Sequence, residues 1–280
     1  MCLITINKNG NRIQIQKILR RSRRAPLTPK TANKFYDEIA EQYDHMTRFE
    51  KRLHREMVII KGWTDRFGFK SALDLACGSG VHTIALSRLG IETTGVDISR
   101  EMIILAEKNA VKYGVNPHFV CSSFADIDKN LKQKFDAVLI LGNSLPHVTN
   151  RDELQKIFIN IKNALYDPGM LIVQLLNYSK ILREKNRIIS IQREDDHEFI
   201  RFYDFLDELL QFNVLHVYSS DNKIKHQLSS TLLYPWEETD LMEALISTGY
   251  SEINLYGSMQ FDVYDKYASE NLVLICKYKT

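Results

Sequence analysis

A short apolar strand that runs straight into a glycine-rich turn constrains this fold more than any other feature. The segment SALDLA, residues 71–76, is followed at once by CGSG and then by a helical pattern over residues 80–89. Glycines in such a turn let the backbone reverse tightly and approach a ligand closely. Strand, turn and helix in this order are typical of sheets of parallel strands covered by helices. The sequence therefore predicts an α/β fold.

The same alternation of strand and helix continues on both sides of this segment. Apolar residues at helical spacing predict two helices ahead of it, at residues 31–46 and 49–67. The further predicted strands are residues 92–97, 118–123, 135–142 and 169–176, and the further helices are residues 99–113 and 151–166. We expect a Rossmann-like, mostly parallel sheet flanked by helices.

The pattern changes in the C-terminal half. Residues 187–234 alternate apolar and polar side chains with few helix signals, which predicts an antiparallel β extension of three or four strands. A helix at 237–248 and strands at 253–258 and 270–278 complete the main sheet. We interpret residues 179–236 either as a plain extension of that sheet or as a lid on the substrate side. Open α/β sheets bind their ligands at the carboxyl edge, where such a lid would lie.

The composition is that of an ordinary globular domain. Of 280 residues, 44% are hydrophobic and 26% are charged, which is enough to bury a core. No run of about 18 apolar residues predicts a membrane span. The four cysteines are scattered without a CxxC pair, which argues against a zinc site or a disulfide framework. We therefore expect a cytoplasmic protein without a metal site or membrane contact, either a monomer or a homodimer.

Positive charge is concentrated at the N-terminus. Residues 1–30 hold eight basic and no acidic side chains, whereas the rest of the chain carries a net charge of −6. We interpret residues 1–30 as a basic, flexible leader and residues 31–280 as one domain. A nucleic-acid-binding arm and a targeting segment are alternatives, because isoleucines lie among the arginines.

Two acidic residues at the ends of neighbouring strands indicate the kind of ligand. Asp74 precedes Gly78 and Gly80, and Asp97 lies at the tip of the next strand, 23 residues after Asp74. The third glycine of a dinucleotide-binding GxGxxG turn is absent, and a carboxylate at position 74 would repel a pyrophosphate. Asp97 is placed to accept the hydroxyls of a ribose, although such a residue can also be a helix cap. A nucleoside with a cationic tail, such as S-adenosylmethionine, fits both positions.

The motifs around these residues resemble the class I S-adenosylmethionine-dependent methyltransferases. LDLACGSG, GVDIS with a methionine after it, SSFAD and FDAVLILGNSLPH occur in that family's order, and the resemblance covers about residues 34–178. It implies S-adenosylmethionine as the methyl donor. The donor-binding residues implied are Asp74, Ala76, Gly78 and Gly80 at the methionine part, Asp97 with Ile98 at the ribose, Met102, Ser123 and Phe124 around the adenine, and Leu141 and His147 in the wall after the fourth strand.

Within that class the chain most resembles glycine N-methyltransferase and related enzymes that methylate small amines. The resemblance rests on FYDEIAEQYD, LGNSLPHV and the pair Asn177–Tyr178. It implies Arg52 at the methionine carboxylate, although Arg52 could equally be a surface residue. It also implies Tyr36 or Tyr43 over the sulfonium, although helix packing explains these tyrosines equally well.

The chain departs from the glycine-specific members at one position. Those members carry an arginine before the Asn–Tyr pair that holds the substrate carboxylate, whereas this chain has Leu176. A leucine cannot replace a bidentate clamp, so we expect an acceptor other than glycine unless another residue of the lid holds its carboxylate.

Methyl transfer from a sulfonium depends mainly on alignment and on the exclusion of water. Asn143 is our candidate for orienting the nucleophile. His147 is the candidate general base, with a wall residue that only hydrogen-bonds the donor as the alternative. The candidate substrate-binding residues are Tyr36, Asn143, Tyr178, Tyr203, Tyr218 and Tyr234.

Three other functions compete with methyl transfer to a nitrogen or oxygen of a small molecule. A nucleic-acid methyltransferase could use the basic leader, but LGNSLP differs from the NPPY-type loop that stacks a flipped base. The absent third glycine and the position of Asp74 disfavour a nicotinamide oxidoreductase. A non-catalytic protein that binds S-adenosylmethionine is compatible with the sequence, because a fold does not determine a function.

Overall fold

The computed structural model describes residues 29–220 and 223–278, so nearly all of the basic leader predicted at 1–30 lies outside the described residues. The helices are α1 (Ala32–Thr47), α2 (Phe49–Phe67), α3 (Val81–Arg88), α4 (Arg100–Lys112), α5 (Ile127–Asn130), α6 (Arg151–Ala164), α7 (Tyr178–Glu184) and α8 (Glu238–Ser247). Within the described ranges, no helix is long and apolar enough to cross a membrane.

Seven strands form a central sheet. They are β1 (Ser71–Leu75), β2 (Glu92–Asp97), β3 (His118–Cys121), β4 (Phe135–Ile140), β5 (Leu165–Leu176), β10 (Ser251–Tyr256) and β11 (Asn271–Tyr278). Their order across the sheet is β10-β11-β5-β4-β1-β2-β3. Only β11 runs against the others, pairing antiparallel with both β5 and β10. The predicted Rossmann-like, mostly parallel sheet flanked by helices is confirmed.

The central sheet is covered on both faces because its inner strands are apolar on both sides. Every residue of β1 is buried. On one face Leu73 and Ile140 pack with Ile157 of α6, and on the other face Ala72 packs with Trp63 of α2. Continuous apolar strands of this kind are what a parallel sheet between two helical layers requires. Parallel β1, β2, β3 and β4 therefore end at one edge, and the loops that follow them meet there.

The predicted antiparallel segment forms a sheet of its own. Strands β6 (Ile188–Glu194), β7 (His197–Phe205), β8 (Leu210–Ser220) and β9 (Lys223–Leu233) pair antiparallel in chain order, separately from the central sheet. The interpretation as a plain extension of the central sheet is therefore wrong. One face of this second sheet packs on α1, where Phe199 and Val214 join Phe35 and Ile39 in a buried cluster.

Three local features differ from the expectations. Strand β5 begins at Leu165, which pairs with Phe135 ahead of a register shift in the β4–β5 ladder. Strand β3 ends two residues earlier than predicted. Helix α7 follows β5 almost at once, with the side chain of Asn177 accepting from the backbone N–H of Lys180. A helix of seven residues is too short to show helical periodicity in a sequence.

Candidate active site

Hydrogen bonds join the turn after β1 to the end of β2. The backbone N–H of Gly78 donates to Oδ2 of Asp97 (2.8 Å), and the backbone N–H of Ser99 donates to Oδ1 (2.9 Å). Gly78 has a left-handed φ of 55°, which glycine adopts without strain. Each carboxylate oxygen can accept a second hydrogen bond, so Asp97 can still accept from two hydroxyl groups.

Asp97 lines a cavity at this edge although it is only 6% exposed. Burial raises the pKa of its carboxyl to about 6, against the opposing effect of the two backbone N–H groups. The carboxylate is thus charged at neutral pH but loses its charge in mild acid. A ligand whose hydroxyl groups donate to Asp97 would favour the charged form.

Asp74, the other predicted acid, is buried in β1 and does not line this cavity. Its Oδ2 accepts a hydrogen bond from the hydroxyl of Thr83 (2.6 Å), which fastens α3 to β1. Its Oδ1 is buried and has no hydrogen-bond partner among the described residues. A buried carboxylate oxygen without a donor costs free energy, so a ligand or a water that donates to it would be bound favourably.

Arg52 and Tyr43 reach the cavity from the two N-terminal helices. Nη2 of Arg52 lies 3.5 Å from Nε2 of His82, and a Cβ on Gly142 would lie 3.4 Å from the same Nη2. A Cβ on Gly78 would lie 3.6 Å from the hydroxyl oxygen of Tyr43. The structure therefore places both predicted residues against the glycine-containing loops that line the cavity.

A buried carboxylate supports this wall. Oε1 of Glu56 accepts a hydrogen bond from Arg55 (3.0 Å) and lies 3.7 Å from Nε of Arg52, and Oε2 lies 3.6 Å from Nε2 of His82. Burial alone would raise the pKa of Glu56, but hydrogen bonding and charge from His82, with the charge of Arg52 and the hydrogen bond from Arg55, lower it to about 2. Glu56 is therefore charged at neutral pH and holds Arg52 in place.

Most of the predicted donor-binding residues line this one cavity. They are Tyr43, Arg52, Ala76, Gly78, Asp97, Ile98, Ser123, Phe124, Leu141 and His147. Met102 and Gly80 do not line it. Met102 is fully buried in the cluster between α1 and α4, and Gly80 packs so closely on α4 that a Cβ would lie 3.1 Å from Cβ of Ala106. Both residues pack behind the cavity wall and support the residues that line it.

His147 and Tyr36 form a buried pair in the cavity wall. The Tyr36 hydroxyl and Nε2 of His147 are joined by a hydrogen bond of 3.0 Å, and Nδ1 of His147 has no partner in the described part of the chain. Burial lowers the pKa of His147 to about 4 and raises the pKa of Tyr36. Both side chains are therefore neutral at pH 7, and each can form hydrogen bonds without carrying charge.

A second cavity, of about 770 Å³, opens between the edge of the central sheet and the second sheet. It shares Tyr36, Tyr43, Arg52 and His147 with the first cavity, so the two cavities adjoin at these side chains. Its volume lies in the range of small-molecule sites, roughly 300–1,000 Å³.

Three predicted substrate-binding residues lie together beside the second cavity. Oδ1 of Asn143 accepts from the backbone N–H of Leu176 (3.0 Å), and its Nδ2 donates to the hydroxyl of Tyr178 (3.0 Å). Tyr178 is buried beside Tyr203. Burial raises the pKa of Tyr203 overall, although Tyr178 lowers it in part, and Tyr203 lines the cavity together with Asn143. The amide of Asn143 is thus occupied by protein groups, and Tyr178 lies behind the wall.

The other two predicted substrate-binding tyrosines lie elsewhere. Tyr218 stacks on His216 with 4.7 Å between the ring centroids, and Tyr234 packs on Trp236 at 4.1 Å. Neither residue lines either cavity. An aromatic side chain in the sequence does not by itself show whether the residue lies at a cavity.

Sequence reasoning did not select Glu56, His82 and Arg201, although all three line the second cavity. The spacing of Arg52 and Glu56, four residues apart on one helix, is a signal that could have indicated their pairing. Arg201 lies two residues before Tyr203 in β7, so strand alternation puts both side chains on one face. No group of three or more His, Cys, Asp or Glu side chains suited to a metal ion occurs in the described residues.

Comparison with known proteins was made for the sequence and for the fold. Residues 72–169 match a family described as a methyltransferase domain. Over 152 residues the chain is 30% identical to the glycine/sarcosine N-methyltransferase of Aphanothece halophytica, an alignment that covers 54% of this chain and 57% of that protein. The chain spans about half the length of the curated relatives that it matches.

Two solved structures share the fold over most of the chain. A methyltransferase dependent on S-adenosylmethionine from Clostridium acetobutylicum matches with a TM-score of 0.73 and 21% identity, covering 88% of this chain and 99% of that one. A sugar N-methyltransferase from a Streptoalloteichus species matches with a TM-score of 0.61 and 18% identity, covering 100% and 99%.

Proposed function

We propose that this chain is a class I S-adenosylmethionine-dependent methyltransferase that transfers the methyl group to a nitrogen or oxygen of a small-molecule acceptor. One observation carries the proposal. The cavity at the turn after β1 adjoins a second cavity that lies between the central sheet and the second sheet, and Tyr36 and His147 line both. We assign the first cavity to the donor and the second to the acceptor.

The first cavity and the residues around it offer a suitable group to each part of the donor. Asp97 accepts from the ribose hydroxyls, and Phe124 packs on the adenine. Arg52 pairs with the methionine carboxylate, and the ring of Tyr43 attracts the cationic sulfonium. Asp74, which lies behind the cavity wall, would act on the ammonium group through its negative charge and not by direct contact.

Methyl transfer from S-adenosylmethionine requires alignment of the acceptor with the methyl group more than it requires a strong base. When bound, S-adenosylmethionine supplies a methyl group that its sulfonium has already activated. The protein has to hold the acceptor in line with that methyl group and exclude water. We assign His147 and Tyr36 to hydrogen bonding and orientation, because a histidine with a pKa of about 4 is a weak base. Asn143 acts as a positioning residue through Tyr178.

The acceptor that we propose is a small molecule other than glycine. Leu176 lines the second cavity at the position where glycine-specific enzymes carry an arginine. The cavity volume of about 770 Å³ also admits a larger molecule. We further propose a cytoplasmic location, in which the buried thiols of Cys77 and Cys276 stay reduced.

Transfer of a labelled methyl group tests this proposal. Native protein, labelled S-adenosylmethionine and a panel of amines, amino sugars and small hydroxyl compounds should yield a labelled acceptor. Asp97→Ala should abolish labelling, whereas Asp65→Ala, at an exposed position of α2, should leave it unchanged. Native-rate transfer by Asp97→Ala would contradict the assignment of the donor site. Efficient methylation of glycine or sarcosine would contradict the assignment of the acceptor.

A further inference from the structure

Arg201 is a cation without a counter-charge in the wall of the second cavity. It lies in the middle of β7, opposite Ser190 on one side and Val214 on the other. Its Nε donates to the hydroxyl of Ser190 (2.7 Å). No carboxylate of residues 29–220 or 223–278 lies within ion-pair distance of it. Its two Nη groups therefore provide donors for something that the described chain does not supply.

Two other arginines, one in this sheet and one just before it, are paired with carboxylates. Arg193 of β6 contacts Glu198 at 2.8 Å, and Arg187 pairs with Asp204. Arg201 differs because it is half-buried and faces Tyr36, Tyr43 and Arg52 across the cavity. Burial and the nearby positive charge of Arg52 lower the pKa of Arg201, so its environment disfavours the cation. An anion in the cavity would reverse that effect.

The charge of the residues that line the second cavity also favours an anionic ligand. Among the described residues that line it, five are basic and one is acidic. The basic residues are Arg48, Lys51, Arg52, Arg55 and Arg201. The acidic residue, Glu56, is already engaged by Arg52, Arg55 and His82. A cavity with this excess of positive charge selects anionic ligands.

We propose that Arg201 holds an anionic group of the acceptor, a carboxylate or a phosphate, at the second-sheet end of the cavity. The inference rests on the proposed function, since it specifies the class of acceptor for that site. A guanidinium with free Nη groups binds either group through two parallel hydrogen bonds. Tyr203, two residues further along the same strand face, offers a hydroxyl beside it.

Arg201 and Arg52 would then have separate roles. Arg52 lies in α2 and lines both cavities, whereas Arg201 lies in the second sheet and lines only the larger one. The donor carboxylate is therefore assigned to Arg52 and the acceptor anion to Arg201.

The test measures anion binding directly. Full-length protein saturated with S-adenosylhomocysteine is titrated with sodium acetate and, separately, with inorganic phosphate, and binding is followed by NMR of the anion. Native protein should bind at least one anion saturably. Arg201→Gln should weaken that binding at least tenfold, and Arg201→Lys should weaken it less. Arg193→Gln, an exposed arginine of the same sheet, should bind like native protein. Tighter binding of acetate or of phosphate identifies the anionic group.

Three results would overturn the proposal. The first is that native protein shows no saturable anion binding, and the second is that Arg201→Gln binds the anion as tightly as native protein does. The third is a tenfold loss of S-adenosylhomocysteine affinity in Arg201→Gln, which would assign Arg201 to the donor. If native protein does not bind S-adenosylhomocysteine, the proposed function fails instead. The anion titration is therefore repeated on the free protein, where loss of binding in Arg201→Gln still supports the anion site.

Discussion

At the scale of a single residue, the donor-binding role that we propose for Asp97 makes donor binding depend on pH. Its charged form can accept from both ribose hydroxyls, whereas the protonated form has fewer acceptor sites. Because burial raises its pKa to about 6, the charged fraction falls as the pH falls through that value. We predict that S-adenosylhomocysteine binds best above pH 7 and roughly tenfold more weakly at pH 5, as measured by calorimetry.

The matched variant for this prediction is Asp97→Ala. It should bind weakly at every pH and lose the dependence between pH 5 and 7. A native protein whose affinity is constant from pH 5 to 7 would show that Asp97 does not contact the donor as a carboxylate.

Glu56 supports the donor site without touching the donor, and Glu56→Gln tests this role. Removing the charge leaves Arg52 and His82 without their carboxylate, so Arg52 is free to leave the cavity wall. We predict at least a tenfold loss of S-adenosylhomocysteine affinity and a loss of about 1–3 kcal/mol of folding stability, measured by calorimetry and urea unfolding. The control is Glu50→Gln, at an exposed position of the same helix. Native-like affinity in Glu56→Gln would refute the positioning role.

The positions of single residues were predictable where a motif and a strand end coincide. The turn after β1 and Asp97 lie at one sheet edge because parallel strands end together, and the order of strands and helices indicates this. Met102 was predicted to contact the adenine, but the structure buries it between α1 and α4. The direction of a side chain on a helix depends on tertiary packing, which the local sequence does not contain.

At the scale of elements, the sequence patterns predicted the helices and strands, but they did not predict which elements pack against each other. Alternation over residues 187–234 correctly predicted strands in this segment, on the expectation that each strand has one apolar face. Alternation does not show what that face packs against, so the separation of β6–β9 from the central sheet could not be read from the sequence. For the same reason Arg201 could not be placed at the cavity before the position of β7 was known.

A stack of rings joins the second sheet to α1 and makes this junction sensitive to acid. His216 stacks on Phe199 at 4.4 Å and lies 2.8 Å from His197, which in turn stacks on His45 of α1. Burial, followed by the charges of His197 and His45, lowers the pKa of His216 to about 4. An unfolded histidine has a pKa of about 6.5. The stability contributed by this site is therefore complete above pH 6.5 and is lost as the pH falls towards 4.

His216→Phe tests the acid sensitivity, because a phenylalanine keeps the stack and cannot take up a proton. We predict that its urea midpoint falls less between pH 7.5 and pH 5 than that of native protein. His226→Gln, at an exposed position of β9, should follow native protein. Identical losses in His216→Phe and native protein would locate the acid sensitivity elsewhere.

At the scale of the whole molecule, the donor cavity joins elements that are distant in the chain. Its walls come from α1, α2 and the loops after β1 to β4, so a bound donor crosslinks the N-terminal helices to the sheet. We predict that S-adenosylhomocysteine at a hundred times its Kd stabilises the protein by about 2.7 kcal/mol. The midpoint temperature of thermal unfolding should then rise by roughly 5–10 °C. No shift at saturation would mean that folded and unfolded chains bind the ligand alike.

A prediction at the scale of the whole molecule concerns whether the basic leader contributes to donor binding. Among the described residues, those that line the first cavity begin at Ala32. We predict that a chain starting at Pro29 binds S-adenosylhomocysteine within twofold of the full chain, as measured by calorimetry. Salt-sensitive DNA or RNA binding that only the full chain shows would assign the leader to nucleic acid.

Calorimetric titration of the full chain with S-adenosylhomocysteine, and with NAD for comparison, tests the central claim most directly. The assignment of Asp97, Arg52 and the turn after β1 to a donor without phosphate predicts saturable binding of S-adenosylhomocysteine and no binding of NAD. Binding of NAD alone would contradict the assignment, because a pyrophosphate would then occupy the turn that follows Asp74.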